Sequence, residues 1–153
     1  MDLSKSSNNF SLQKSTYIYL RWTAYIGQLS AILLVKFFFN FNFNYIACVS
    51  IVAISILTNL YLEFIKKENQ LNNYSSTIYL AYDIFQLSCL FYLTGGITNP
   101  FIFIIIIPAV FSSQYLSLRS SVILVVFTII LLIILTFYHL DLPHPSKQNF
   151  IVP

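Results

Sequence analysis

The residues with the most chemistry in them fall in one short stretch, Leu93-Thr94-Gly95-Gly96-Ile97-Thr98-Asn99-Pro100-Phe101. Gly95 and Gly96 can take positive φ and end a helix. Asn99 suits a helix N-cap and Pro100 the first helical position. The stretch therefore reads as a tight turn. It presents unpaired carbonyls from one helix end and unpaired amides from the next, with the ring of Phe101 beside them. A flat ring bearing carbonyl oxygens, such as a quinone head, needs amide donors and an aromatic or apolar wall, and this turn can supply both. The same residues also make a plain hairpin between two helices. Gly-Gly and Asn-Pro are ordinary punctuation, so the residues alone favour the hairpin.

A second constellation is intramembrane. Asp83 and Gln86 stand at i and i+3, on one helix face. A carboxylate near mid-span costs on the order of 3 kcal/mol to insert, so Asp83 is expected to face other helices. Gln28 lies at similar depth, and Gln28 or a residue near it is the expected partner, while Arg21 could reach up from the inner boundary. Gln28, Asp83 and Gln86 read either as a proton or signal relay or as an interhelical polar clamp, and the clamp is the favoured reading. Asp83 precedes Gly95 by twelve residues, about 18 Å along a helix, too far to touch a ligand at the turn. Pro108 is expected to kink its helix. His139 and His144 fall outside the spans, so neither a haem between membrane histidines nor a metal cluster is expected. Cys48 and Cys89 form no CxxC pair and read as small buried hydrophobes. No phosphate-binding glycine loop, catalytic triad or carboxylate dyad is apparent.

These groups are carried on a chain of 153 residues, 58% apolar and only 8% charged. A soluble domain is usually about 25% charged, so lipid is the natural solvent. A net charge of +3 is too weak to suggest nucleic acid. Spanning the hydrocarbon takes about 20 apolar residues. Five segments qualify, at about 19–39, 45–64, 77–94, 101–117 and 120–138. Phe101–Ile107 and Val122–Leu135 are apolar at every position, without the alternation a barrel strand needs. The fold class is all-α, a polytopic transmembrane helical bundle of about five spans. Residues 1–16 form a polar tail with no cleavage site behind it, so no cleavable signal peptide is expected. The bundle occupies 17–138, and 139–153 is an outer stretch. Asn40–Asn44, residues 65–76, Gly95–Pro100 and Leu118–Ser120 connect the spans. With the N-terminus in the cytoplasm, Lys5, Lys14, Arg21, Lys66, Lys67 and Arg119 lie inside, and only Lys36 and Lys147 outside.

Four stretches make the chain resemble the membrane sensor region of RegB/PrrB/ActS-type redox-sensing histidine kinases. Leu20-Arg21-Trp22 followed by Gly27-Gln28-Leu29 is similar to that family's RW-then-GQ start, and Asp83-Ile84-Phe85-Gln86-Leu87 to its D-x-x-Q-L run. Gly95-Gly96-Ile97-Thr98-Asn99-Pro100-Phe101 matches its heptapeptide GGxxNPF, and Leu142-Pro143-His144-Pro145 looks like its Pro-rich outer loop. The resemblance covers about residues 17–145. It implies a role for Gly95, Gly96, Asn99, Pro100 and Phe101 in sensing ubiquinone. It further implies a homodimer in the bacterial inner membrane, exposed to the quinone pool. A cytoplasmic response regulator would be reached only through a kinase part. The family has six spans followed by a phosphorylated-histidine helix pair and an ATP-binding domain. This chain stops where the sixth span would begin, so it is expected to be a fragment or truncated product, without catalytic machinery of its own. The alternatives are a small standalone membrane protein, such as a transport or assembly subunit, and, with less support, a quinone-using redox enzyme.

Overall fold

Three asparagine and serine caps set where helices begin. In the computed structural model, which describes residues 12–65, 67 and 69–145, Asn44 accepts a hydrogen bond from the Ala47 amide at 3.2 Å and opens α2 (Tyr45–Phe64). Asn72 accepts from the Ser75 amide at 2.8 Å and opens α3 (Asn73–Leu93). Ser117 accepts from the Ser120 amide and opens α5 (Leu118–Phe137). Each cap engages one amide that the first turn of a helix leaves unpaired. The first helix, α1 (Lys14–Leu33), continues through a π-helical turn at Leu34–Phe38.

The helices run alternately up and down. Before α1, the short strand β1 (Leu12–Gln13) pairs antiparallel with β3 (Gln70–Leu71), which lies between α2 and α3. At the opposite end, β2 (Phe41–Asn42), between α1 and α2, pairs with β4 (His144–Pro145), beyond α5. Asn73, at the start of α3, ties the first end together further. Its side-chain carbonyl accepts from the Ser117 amide at 2.8 Å, and its amide donates to Ser120 Oγ at 2.7 Å. α3 packs on α2, α4 and α5, and α1 packs mainly on α2. The core follows from this, with Leu62, Leu80, Ile84, Ile105 and Leu124 essentially inaccessible. Phe38, Phe64 and Phe137 are exposed on the outside of the bundle.

Among the described residues, three helices are long and apolar enough to cross a membrane: Lys14–Phe38, Tyr45–Phe64 and Leu118–Phe137. α3 is long enough at 21 residues, but its polar residues lower its hydropathy, and it is covered by its neighbours. The fourth segment departs from expectation. It is not one α-helix over 101–117 but a 3-10 helix, Ile102–Ile106, running into a short α4, Ile107–Tyr115. Its length is roughly 24 Å, short of the ~30 Å hydrocarbon core. Pro108 sits in the first turn of α4, where a missing N–H costs nothing, and so it does not kink a helix interior. Two other boundaries shift. α1 begins at Lys14 rather than within a loose tail, because β1 anchors its start. Arg119, expected in a loop at Leu118–Ser120, lies in the first turn of α5 because Ser117 caps that helix. The expectations resting on residues 1–11, Lys66, Glu68 and 146–153 lie outside the described residues.

Candidate functional site

Two places in the bundle hold the candidate residues. The first is a polar seam between α1, α2 and α3. On α1, Tyr17, Arg21, Tyr25 and Gln28 recur at helical spacing and so line one face. Arg21 is 3% exposed. Its Nη2 stands 2.9 Å from Asp83 Oδ1 and donates to Thr58 Oγ1 at 2.9 Å. The Tyr17 hydroxyl donates to the other carboxylate oxygen, Oδ2. The rings of Tyr17, Tyr25 and Tyr82 surround the guanidinium, with its central carbon 5.3, 5.6 and 5.8 Å from their centroids. A cation over the faces of these rings is attracted by their quadrupoles. Nε and Nη1 of Arg21 are buried without a hydrogen-bond partner.

One turn further along, Gln86 donates to Gln28 Oε1 at 2.9 Å. Thus Gln28, the expected partner of Asp83, pairs with Gln86, and Asp83 pairs with Arg21 and Tyr17. The reason is register and charge. α1 and α3 run parallel, the long arginine side chain climbs to the level of Asp83, and in an apolar medium a carboxylate gains more from a cation than from an amide. Tyr17, Tyr25, Thr58 and Tyr82 carried no expected role from the sequence. The spacing of Tyr17 and Tyr25 about Arg21 was a readable signal. The arrival of Thr58 and Tyr82 from other helices was not.

The second place is the Gly95–Phe101 turn. Gly95 and Gly96 take φ of 110° and 54°, the left-handed region that suits glycine. Asn99 does not cap an α-helix. Its Oδ1 accepts from the Phe101 amide at 2.9 Å, and its Nδ2 donates to the carbonyl and hydroxyl oxygens of Thr94, both at 3.0 Å. The asparagine thus locks the turn onto the end of α3, and Phe101 stands 59% exposed beside it. The chain leaving α5 closes over the glycines. The Leu140 amide donates to the Tyr92 carbonyl at 2.8 Å. A Cβ on Gly96 would strike the His139 ring and meet the Leu135 carbonyl at 2.8 Å, and one on Gly95 would meet Leu142 at 2.6 Å. His139 Nδ1 is buried there without a hydrogen-bond partner. No local signal marked His139 as a residue that would reach the turn. Among the described residues, no group of three or more His, Cys, Asp or Glu side chains could hold a metal, and Cys48 and Cys89 are both free.

The sequence model of the PilS-like transmembrane domain, a six-span domain, matches residues 15–151. The chain belongs to this family. It is also similar to the sensor histidine kinase RegB of Cereibacter sphaeroides, at 34% identity over 139 residues. That match covers 90% of this chain and 30% of RegB, and it makes this PilS-like domain a membrane sensor region of the RegB type. No solved structure matches.

Proposed function

We propose that this PilS-like domain is the quinone-responsive input module of a two-component sensor histidine kinase. It would sit in the bacterial inner membrane as a homodimer with its N-terminus in the cytoplasm. It would draw ubiquinone from the membrane pool and reach a response regulator only through an attached kinase. Support for the kinase context comes from the likeness to RegB, a protein named as a sensor histidine kinase. The observation that carries the ligand reading is the construction of the Gly95–Phe101 turn. It joins α3 to the α4 segment, the exit of α5 seals it through Leu140 and Leu142, and it leaves an aromatic ring bare on its flank. A ligand biases a conformational equilibrium only if it prefers one arrangement over another. A quinone ring on Phe101 would touch the joint at which three helices meet.

The test is binding of a short-chain ubiquinone analogue to the purified protein in nanodiscs, wild type against Phe101→Ala. Loss of a ring contact is worth about 1 kcal/mol, so affinity is expected to fall about fivefold. An unchanged affinity in a folded variant would leave the turn as a structural clasp. Absence of binding by the wild type would remove the quinone reading altogether. Asn99→Ala is a poor probe, because the Asn99 side chain holds the turn itself together.

A further inference from the structure

Between α1, α3 and the α4 segment lies a cleft of about 240 Å³. Leu20 and Ala24 of α1, Leu87 of α3, and Ile107 and Phe111 of the α4 segment give it apolar walls. Leu20 and Ile107 remain 42% and 57% exposed, so the cleft opens sideways out of the bundle. For membrane helices that direction is lipid. The floor is polar, made by the Arg21–Asp83 pair and by Gln28 and Gln86.

The two glutamines leave something over. A pair of primary amides carries two carbonyl oxygens and four N–H groups. One hydrogen bond joins them here. Whichever way the two amides are turned, one carbonyl oxygen and several N–H groups stay unengaged. They do so at the bottom of an apolar cleft near mid-membrane, where an unpaired polar group is costly. A ligand that suits this place must partition into lipid, present a flat or apolar body to the walls, and bring one oxygen to the floor. The volume is just under the roughly 300 Å³ at which pockets for drug-sized ligands begin, which suits a single substituted ring. Because the Arg21 charge is already balanced by Asp83, the ligand should be neutral.

We infer that this cleft is a second ligand site, which takes the oxygen-bearing ring of a quinone or quinol from the lipid phase onto the Gln28–Gln86 amide pair. The oxidised ring accepts from a free amide N–H, and the hydroxyl of the reduced ring donates to the free amide oxygen. A ring seated there touches α1, α3 and the α4 segment together, next to the ion pair that fixes α1 against α3. Naming the ligand a quinone rests on the function proposed above, whereas the place of the site does not.

Photoaffinity labelling separates the two. A short-tailed azido-quinone is added to the wild-type protein in nanodiscs, with and without excess unlabelled quinone, and the labelled peptides are mapped by mass spectrometry. Competed adducts are expected on the stretches 20–28 and 104–111. Ala24 is an exposed residue on the wall of the cleft, so Ala24→Phe fills the cleft without entering the core. In that variant the cleft adducts should be lost, while any at 95–101 persist. Competed adducts confined to 95–101, or cleft adducts that survive Ala24→Phe, would overturn the second site and leave the quinone reading standing. No competed adduct anywhere would end both.

Discussion

Arg21 and Asp83 form a buried ion pair, and such pairs are expensive to make. The Coulombic gain roughly offsets the desolvation, while removing one partner leaves a charge stranded at a cost of about 3–5 kcal/mol. What the pair secures is register: Arg21 also holds Thr58, and Tyr17 holds Asp83, so one cluster fixes α1 against both α2 and α3. Asp83→Leu should therefore lower the thermal midpoint in detergent sharply, and Asp83→Asn less, because the amide keeps an acceptor for Tyr17. The double variant Arg21→Met/Asp83→Leu should recover much of the loss, since no charge is left unpaired. Purely additive losses in the double variant would show that the two charges are not coupled. At this scale the sequence was half legible. The insertion cost of Asp83 required an inward orientation and a partner. The choice between Gln28 and Arg21 depended on the relative height of two helices whose paired residues, Arg21 and Asp83, lie 62 positions apart in the chain.

The Gly95–Phe101 turn works as an element rather than as a set of residues. It ends α3 with two left-handed glycines and starts a 3-10 segment, and the stretch 139–142 fastens it down. Gly96→Ala should be costly, because the backbone there disfavours a side chain by about 1–3 kcal/mol and the new methyl would strike His139 and the Leu135 carbonyl. Gly27 is the control. It lies inside α1 with nothing within 4 Å of an added Cβ, so Gly27→Ala should be neutral or stabilising by up to about 1 kcal/mol. Thermal unfolding of the two variants in the same detergent gives the comparison. Equal midpoints would mean that the covering stretch yields freely to the methyl group. The glycines were legible as a helix stop because their freedom is local. Asn99 was assigned the wrong task, because the competing bond to Thr94 appears only once α3 ends one turn away.

Across the whole molecule, the two ribbons fix which loops share an end. Residues 70–74 lie at the end of β1, and the Gly95–Phe101 turn lies with β2 and β4. From the distribution of basic residues, the first end is expected to face the cytoplasm. Tyr74 and Ile97 are 74% and 40% exposed at opposite ends. Placed singly as cysteines in a background lacking Cys48 and Cys89, they report the orientation. An impermeant thiol reagent applied to spheroplasts should label the Ile97→Cys protein and spare the Tyr74→Cys protein until the cells are opened. The reverse pattern would invert the topology.

The sequence by itself determined the solvent, the helical class and the approximate placing of four long helices, because hydrophobic runs and capping residues act over a few neighbouring positions. It also marked Asp83, Gln86 and the Gly95–Phe101 turn as unusual, since a charge in an apolar run and paired glycines before Asn-Pro are anomalies visible in one dimension. Only the tertiary structure decided that Arg21 rather than Gln28 answers Asp83, that His139 and Leu142 roof the glycines, and that α1, α3 and the α4 segment leave a lipid-facing cleft. Those are contacts between helices distant in the chain. They are set by how far each helix slides against its neighbours, and that balance is settled by the packing of the whole bundle at once.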